Sequence, residues 1–335
     1  MSAAAVRQTV AILTLAEDLH GHAVADAVRC RGHDCHLIAT DRLPLSPNLS
    51  WRLGDSPVAE LTTATGDSLD LRQVDAFWVR RLCTQAETVR DLSEAARILI
   101  PTEVQAALYG VIFTQTNARL YNSPIAELTA DNKLVQLTTA TACGFRVPPT
   151  LVSSNAAEVR RFSKEHDMNL IVKAVRGTAA FSIPTRKVRA SDLDDDAGIA
   201  ACPAIWQVCE PGDVHLRIHV FGPRVLTAKI QARELDWRPD LNVPISPFEL
   251  DPGINDRCVG LVRELGLEMG IIDAKLGPDG DLCFLEINPQ GQFLFMEALT
   301  RLPLTDAVAD LLLEASGALP CHSFDRSERE HHLLV

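Results

Sequence analysis

The stretch FLEINPQGQFLFME, residues 284–297, begins with a polar–apolar alternation that predicts a β-strand. Glu286 and Asn288 are two positions apart in it, so a strand places both side chains on the same face. Upstream, Asp273 lies in the apolar segment MGIIDAK, and the turn PDG at 278–280 joins the two segments. We therefore expect Asp273 and Glu286 on adjacent strands of a hairpin, with Asn288 close by.

Two carboxylates and one amide oxygen form a hard-oxygen set that suits Mg²⁺, which takes its other ligands from water and substrate phosphates. The alternative is a hairpin whose polar residues face solvent. We favour the metal site because Glu286 and Asn288 are embedded among Phe, Leu, Ile and Pro. A charged residue in such a run needs a partner.

The composition describes a globular chain without an evident polyanionic partner. Its 335 residues are enough for two or three lobes. Asp and Glu number 44 against 32 Lys and Arg, a formal net charge of −12, and no basic block occurs. Nucleic acid is therefore a poor candidate partner, whereas a nucleotide needs only a local positive pocket.

The cysteines and the hydropathy predict a cytoplasmic protein. Nine cysteines are scattered without a CxxC pair, which argues against zinc and against a disulfide framework, and for a reducing compartment. The N-terminus lacks the basic region of a secretory signal. We also see no apolar run long enough to cross a bilayer, so we predict no membrane partner.

The N-terminal third reads as the opening of a doubly wound α/β sheet. Residues 8–15 and 35–40 read as buried strands on either side of a helix at 17–31, which is a β-α-β unit. The turn from strand to helix has no GxGxxG, so a dinucleotide site is not supported there.

The rest of the chain divides into two further lobes and a loose tail. The other predicted elements are a strand at 76–82, a helix at 91–117 broken near Pro101, a helix from Ile125 to Cys143, a helix at 155–166, strands at 169–175 and 184–190 around a loop at 176–182, a strand and hairpin within 204–233, and helices at 254–268 and 303–316. The predicted boundaries give an N-terminal domain at 1–120, a central lobe at 121–203, a C-terminal lobe with the metal site at 204–325, and a tail at 326–335.

Two lysines are candidate phosphate contacts. Lys173 lies inside the apolar strand 169–175, where an ammonium group is costly unless it meets an anion. The alternative is an edge-strand lysine that faces water. Lys133 follows Asp131 and Asn132 near the start of a helix and, taken alone, reads as a surface lysine.

A candidate hinge lies where a strand ends at Gln207, Val208 and Cys209 and runs into a turn with Glu210 and Asp213. Such a hinge offers free backbone N–H and C=O groups that can read an adenine edge. Acids just after it can bind ribose hydroxyls. The alternative is an ordinary turn whose acids face water.

Arg217 lies in VHLRIHVFG, where His215 and His219 share its strand face. A guanidinium group there suits a developing phosphoryl or carboxylate charge, and the alternative is a structural ion pair. The two histidines are either acid–base groups or packing residues. DWRPD, 236–240, is either a peptide-binding edge or a capped loop. The sequence has no GxSxG and no Walker-type GxxxxGK[ST].

The order of these features resembles the ATP-grasp superfamily of carboxylate–amine and carboxylate–alcohol ligases. A helix with Lys133 precedes an extended VPPT, a strand carries Lys173, the hinge leads to Arg217, and Asp273 is followed by the E-x-N run. Within that superfamily the chain resembles the ATP-grasp maturases of ribosomal peptides, the graspetide synthetases of the microviridin type. The cues are FLEINPQGQFLFMEALTRLPLTDAVADLLL, the phrase DWR, and WVRRL in the N-terminal lobe.

The resemblance implies a doubly wound pre-ATP-grasp domain followed by two α+β lobes that clamp ATP. It implies ATP phosphate contacts from Lys133 and Lys173, an adenine hinge at Gln207, Val208 and Cys209, a ribose or metal-side role for Glu210 or Asp213, an acyl-phosphate contact from Arg217, and magnesium ligands Asp273, Glu286 and Asn288. Where the family usually has an acid two residues before the arginine, this chain has His215.

The implied reaction is ATP-dependent activation of Asp or Glu side chains of a precursor peptide as acyl phosphates. Ser, Thr or Lys side chains then close macrolactone or macrolactam links. A leader region would pair with a sheet edge around 228–240. Candidate substrate contacts are Arg80, His219, Arg233, Asp236, Trp237 and Arg238. The alternatives are a ligase of free amino acids or protein C-termini, and a nucleotide-binding regulator without catalysis. The oligomeric state is open, with a homodimer among the options.

Overall fold

A computed structural model describes residues 6–43, 46–62, 66–82, 92–115, 118–176, 183–239, 241–277 and 280–314. The chain forms two compact units, which are described separately: Met1–Asn122 with Thr305–Val335, and Ser123–Leu304. The predicted division at 120, 203 and 325 stays a proposal. Residues 177–182 of the loop predicted at 176–182, most of the turn at 278–280 and the tail lie outside the described residues.

The first unit contains a parallel sheet, as the β-α-β pattern predicted. Its elements are β1 (Thr9–Thr14), α1 (Leu19–Cys30), β2 (Asp34–Ala39), β3 (Asn48–Arg52), β4 (Val58–Thr62), β5 (Ser68–Asp70), β6 (Ala76–Val79), α2 (Glu94–Gln115) and β7 (Arg119–Tyr121). The parallel sheet has the order β2-β1-β6-β7, and β3-β4-β5 form a second, antiparallel sheet. The middle of β1, Val10–Leu13, is completely buried, because an interior parallel strand is covered on both faces.

The predicted break near Pro101 is wrong, since α2 runs unbroken from Glu94 to Gln115. A proline inside a helix removes only one hydrogen bond, and a partly exposed helix leaves the freed carbonyl accessible to solvent. The segment Glu94–Thr114 is also long and apolar enough to cross a membrane by length and composition alone, contrary to the prediction from sequence. A single such helix is weak evidence, and we assign no membrane role to it.

The second unit is built on two antiparallel sheets. Its elements are α3 (Pro124–Ala130), α4 (Lys133–Ala142), β8 (Thr150–Ser153), α5 (Ala156–Glu165), β9 (Leu170–Lys173), β10 (Arg186–Lys187), α6 (Ala190–Leu193), α7 (Asp196–Ala201), β11 (Ala204–Val208), β12 (Val214–Phe221), β13 (Arg224–Gln231), β14 (Ile245–Phe248), α8 (Pro252–Glu264), β15 (Met269–Leu276), β16 (Leu282–Asn288) and α9 (Leu294–Thr300). The last helix, α10 (Leu304–Leu313), belongs to the first unit from Thr305 onward. The smaller sheet has the order β10-β9-β11-β8, and the larger sheet β14-β13-β12-β15-β16.

Two predicted elements of this unit differ from the structure. The single helix expected from Ile125 to Cys143 is two helices, because Asn132 caps α4 by accepting a hydrogen bond from the Leu134 N–H. The strand expected at 184–190 is reduced to the two residues of β10, and Ala190 already starts α6.

Candidate functional site

The strands of the larger sheet bring the predicted reactive residues into one row. Arg217 on β12 is paired with Asp273 on β15, and Asp273 is paired with Glu286 on β16. The prediction that the two acids lie on adjacent hairpin strands is therefore confirmed. The register shifts just after Asp273, where Ala274 pairs with Phe284, so Leu285 is the extra residue of a bulge.

Arg217 is buried against Asp273. Its Nη1 donates to both carboxylate oxygens at 2.8 and 3.0 Å, and its Nη2 donates to the carbonyl of Gln292 at 3.1 Å. Among the described residues, the buried Nε of Arg217 has no hydrogen-bond partner. This N–H is an unused donor, and a phosphoryl oxygen is a suitable acceptor for such a group.

Of the two carboxyl groups in the row, Asp273 is the one whose pKa is raised. Burial raises the pKa of this carboxyl group, Arg217 opposes the rise, and the neighbouring charge of Glu286 adds to it. The Asn288 Nδ2 donates to the Asp273 Oδ2 at 3.3 Å. An amide can turn by exchanging its oxygen and nitrogen, so the same side chain can present its oxygen to a cation.

Glu286 lies between two lysines. Its carboxylate is 3.3 Å from the Lys133 Nζ. Burial acts to raise the pKa of Glu286, but the charges of Lys133 and Lys173 outweigh burial, so its pKa is lowered. The alternative that Lys173 faces water from an edge strand is wrong, because β9 is paired on both sides and Lys173 is 8% exposed.

The charge on Lys173 makes a testable contribution to stability. Burial, aided by Lys133 and opposed by Glu286, lowers the pKa of Lys173 from 10.5 to about 8. The unfolded chain therefore binds more protons at this group between pH 8 and 10.5, and stability gains from rising pH in that window. In the absence of metal and nucleotide, we expect the unfolding free energy of the wild type, relative to Lys173→Met, to rise by about 3 kcal/mol from pH 7.5 to 10.5. Urea titrations across this range would measure it.

The matched control is Lys187→Met, which removes an exposed lysine from the adjacent strand β10. Its stability should follow the wild type at every pH. A flat difference between the wild type and Lys173→Met across the window would show that Lys173 keeps an ordinary pKa in the folded protein.

A cleft that is open to solvent lies between the two sheets of the second unit. Predicted site residues on its wall are Lys173, Gln207, Val208, Glu210, Asp236, Trp237, Arg238, Asp273 and Glu286. His215, Lys275 and Thr185 also line it and were not among the predicted ligand-binding residues. The cleft therefore combines cationic, anionic and apolar groups, as a polyphosphate and base would require.

The hinge differs from its prediction in one respect. The backbone N–H of Val208 donates to the Pro149 carbonyl at 2.9 Å, and that of Cys209 to the Asn169 carbonyl at 2.9 Å. These two donors are not free to read adenine, contrary to the sequence argument, because the strand end is tied to the flanking segments. Base recognition at this hinge would fall to its carbonyls and to the cleft wall.

Glu210 is held in an ion pair that the sequence did not reveal. Arg146 binds both of its carboxylate oxygens, at 2.9 and 2.7 Å, and also pairs with Asp281. The Arg146 hydrogen bonds are the largest cause of the lowered pKa of Glu210. A role for Glu210 at the ribose would compete with this ion pair.

Lys275 fixes the turn after the hinge. Its Nζ donates to the carbonyls of Glu210 at 3.0 Å and Gly212 at 2.7 Å, and the residue is 7% exposed. One signal in the sequence was overlooked, namely that Lys275 is a second charged residue, besides Asp273, in the mostly apolar segment MGIIDAKL.

Lys275→Met should destabilise the second unit by about 1–3 kcal/mol, because it leaves two hinge carbonyls without their donor. It should also weaken nucleotide binding in the cleft. Denaturant unfolding and calorimetric titration with ATP measure the two effects, and Lys187→Met again serves as the control. Unchanged stability would mean that water replaces the ammonium group at no cost.

The segment 236–238 lies next to Arg217 through contacts with Phe295. Asp236 and Arg238 pair at 2.7 Å, and Trp237 packs against Phe295 with ring centroids 6.3 Å apart. The Arg217 guanidinium lies 5.7 Å from the centroid of the same Phe295 ring. This places Asp236, Trp237 and Arg238 beside the reactive row.

Other predicted residues lie elsewhere. Arg233 and Asp213 are exposed and outside the cleft wall. His219 is completely buried, with its Nδ1 3.1 Å from the Leu226 carbonyl, so its assignment as a substrate contact is wrong. In the first unit, Arg80 is buried and its Nε is 2.6 Å from Asp18, so its charge is neutralised inside that unit.

The predicted sheet edge for a leader is also wrong in part. Residues 228–231 belong to β13, which is paired with β12 on one side and with β14 on the other. The free edges of this sheet are β14 and β16, because Ile245–Phe248 adds a strand that the sequence analysis did not include.

The donor set fits a magnesium ion. Within the described residues no cluster of three or more His, Cys, Asp or Glu has a metal-binding arrangement, so the candidate site depends on two carboxylates and an amide. Loss of solvent around the partly buried Asp273 is the largest cause of its raised pKa, and the charge of Glu286 adds to it, against Arg217 and Arg238. A divalent cation held by Asp273 and Glu286 would stabilise the charged form of both carboxylates.

The comparisons with known proteins identify the fold. Residues 9–124 match the family model of the MvdD pre-ATP-grasp domain, and no curated protein matches the chain. The macrocyclase MdnC from Microcystis aeruginosa MRC, solved with its precursor peptide MdnA, is 27% identical, with a TM-score of 0.84, over 92% of this chain and 100% of that one.

Two further structures show the same likeness. A RiPP-associated ATP-grasp ligase from Chryseobacterium gregarium, solved with ADP and a leader and core peptide, is 25% identical over 91% of this chain and 96% of that one, with a TM-score of 0.82. The ATP-grasp ligase PsnB, solved with a minimal precursor, Mg and ADP, is 25% identical over 90% of this chain and 96% of that one, with a TM-score of 0.71. The chain has the ATP-grasp fold with a pre-ATP-grasp domain, and its resemblance to the ATP-grasp maturases of ribosomal peptides is confirmed.

Proposed function

Given this likeness, we propose that the protein is an ATP-dependent, ADP-forming ligase that cross-links side chains of a ribosomally made precursor peptide in the cytoplasm. The observation that carries the proposal is the row Arg217–Asp273–Glu286, with the Lys133 ammonium group 3.3 Å from Glu286 and with Lys173 on the cleft wall. Related ligases have been solved with precursor peptides and with ADP, which supports both substrates.

The first half-reaction is phosphoryl transfer. An Asp or Glu carboxylate of the peptide attacks the γ-phosphorus of ATP, the bond to the β-phosphate oxygen breaks, and ADP leaves. The ammonium groups of Lys133 and Lys173 balance the charge of the phosphates, and the Arg217 Nε–H meets an oxygen of the transferring group. Before substrate binds, Glu286 forms an ion pair with Lys133 and opposes the lowering of the Lys173 pKa by burial.

Asp273, Glu286 and Asn288 would hold magnesium, which supplies Lewis-acid charge at the phosphates. Asp273 is kept in place by the two hydrogen bonds from Arg217. The same guanidinium therefore orients a metal ligand and contacts substrate, which couples metal binding to phosphoryl transfer.

The second half-reaction closes the link. A Ser or Thr hydroxyl, or a neutral Lys amine, attacks the acyl carbon, the bond from that carbon to the phosphate oxygen breaks, and the phosphate leaves with the proton of the nucleophile as the ester or amide forms. The chain's part is to hold the two groups together and to keep water away from the acyl phosphate. Trp237 and Phe295, which pack on each other beside Arg217, supply apolar cover for that purpose.

The test is intact mass analysis of a short acidic peptide containing Ser, Thr or Lys, encoded beside the gene, after incubation with the protein, ATP and Mg²⁺. We expect the peptide to lose one water per link, with one ADP formed for each. Methanolysis of the product opens esters and leaves amides intact, so it assigns the type of link.

A peptide of unchanged mass, with ADP released only when free amino acids are added, would instead support the small-molecule ligase. No ADP under any of these conditions, with ATP still bound, would support the nucleotide-binding regulator. The inactive comparison is Glu286→Gln, which should give neither mass loss nor ADP.

A further inference from the structure

His215, on the wall of the cleft, has a buried ring nitrogen without a hydrogen-bond partner among the described residues. The residue is 4% exposed and lines the cleft wall. One of its ring nitrogens is hydrogen-bonded to the backbone of Ala232. Its Nε2 is buried and has no partner among the described residues. A buried polar atom without a partner is costly, so one that faces a cleft points to a ligand.

The chemistry of the free nitrogen follows from the bond at the other one. The Ala232 bond acts to raise the pKa of the ring, which is the effect of a ring N–H donating to a carbonyl. Because Nε2 is unpaired, the donor is Nδ1. Burial and the nearby Lys275 ammonium group keep the ring neutral by lowering its pKa. A neutral ring that donates through Nδ1 carries a lone pair on Nε2.

The position of His215 selects the part of the nucleotide that it meets. On β12 it lies two residues from Arg217, about 7 Å along the strand, toward the hinge. Its pairing partner on the neighbouring strand β15 is Lys275, whose ammonium group donates to the hinge carbonyls. It therefore lies between the hinge and the row that would meet the phosphates, where the sugar of a bound nucleotide must pass.

We propose that the Nε2 of His215 accepts a hydrogen bond from a ribose hydroxyl of the bound nucleotide and makes this cleft selective for ribonucleotides. The proposal rests on the proposed ATP-dependent function and adds a specificity residue to it. The donor groups of a nucleotide are its ribose hydroxyls and base N–H groups, and only the hydroxyls lie between the base and the phosphates. A neutral imidazole here does by hydrogen bonding what a carboxylate would do at the same place, without adding a negative charge beside Asp236 and Asp273.

The test is calorimetric binding of ATP, 2′-deoxy-ATP and 3′-deoxy-ATP, each with Mg²⁺ and without peptide. The wild type should bind one of the two deoxynucleotides about tenfold more weakly than ATP. The deoxynucleotide that lacks the donating hydroxyl leaves the buried Nε2 of His215 unpaired. His215→Leu should bind ATP about as weakly as the wild type binds that deoxynucleotide, and should bind both equally. His215→Gln, whose amide oxygen can reach the position of Nε2, should recover part of the discrimination.

His219→Gln is the matched control, because it changes the other histidine of the same strand face, which is packed away from the cleft. It should keep the wild-type discrimination. Equal binding of all three nucleotides by the wild type would overturn the proposal even if no variant folds. Persistent discrimination by a folded His215→Leu would do the same.

The two proposals fail in different ways. Nucleotides bound with equal affinities, together with a cross-linked peptide, would remove the role of His215 and leave the ligase. Ribose discrimination without peptide modification would remove the peptide substrate and leave His215. A wild-type protein with no affinity for ATP would overturn both.

Discussion

Glu286→Gln should lower peptide-dependent ADP formation by about a thousandfold, the loss expected when a metal ligand that stabilises transition-state charge is removed. Glutamine keeps the size of the side chain and removes only its charge. Lys133 and Lys173 then lose the counter-charge that they share, so repulsion between them adds to the lost metal ligand. Steady-state ADP release at saturating peptide measures the effect, with a series of Mg²⁺ concentrations to detect weakened metal binding.

The comparison variant is Asp256→Asn, which removes an exposed acid of α8 and should keep full activity. Near-UV circular dichroism must show that Glu286→Gln is folded. A folded Glu286→Gln with activity within a few-fold of the wild type, at the same Mg²⁺ requirement, would refute the assignment of Glu286 as a metal ligand.

The reactive row was predictable because its information is local. The alternation around Glu286 and Asn288, and a short connection back to Asp273, are enough to specify a hairpin and its facing residues. The bulge at Leu285 was not predictable, because the register shift depends on how β16 meets β15 across its whole length. It nevertheless leaves the pairing of Asp273 with Glu286 unchanged.

The errors at the site come from contacts between distant segments. The N–H groups of Val208 and Cys209 look free in the sequence, but Pro149 and Asn169 are brought to them by the fold of the smaller sheet. His219 shares a strand face with Arg217 as predicted, yet its neighbour on that face, Phe221, is packed against Phe293 from the segment after β16, with ring centroids 6.0 Å apart. Periodicity gives the face of a strand and not what covers that face.

Lys275 and Arg146 show a second limit. The sequence does not identify the binding partner of either residue, and each gains its role from the turn that follows the hinge. Lys275 holds two carbonyls of that turn, and Arg146 holds the Glu210 carboxylate. A cation that binds backbone carbonyls leaves no charge pattern in the sequence, so such a contact becomes visible only in the folded chain.

Arg217→Lys tests whether catalysis needs the guanidinium donors of Arg217 or only its positive charge. Lysine keeps the positive charge beside Asp273, but its ammonium group cannot reproduce the planar set of donors that binds Asp273, Gln292 and, through Nε, a phosphoryl oxygen. We expect the turnover number for ADP formation to fall by about 100- to 1000-fold, the cost of losing one preorganised donor to a developing charge. Because Lys133 and Lys173 remain, the dissociation constant for ATP should change by less than about tenfold.

This split between turnover and affinity tests the Nε assignment directly. Arg263→Lys, which changes an exposed arginine of α8, is the control for the substitution itself and should change neither quantity. If Arg217 were only a structural partner of Asp273, Arg217→Lys would lower stability and ATP affinity together, while the rate per bound nucleotide stayed near that of the wild type. Single-turnover ADP formation at saturating nucleotide and peptide distinguishes the two, because a missing transition-state donor slows the chemical step even when every active site is occupied.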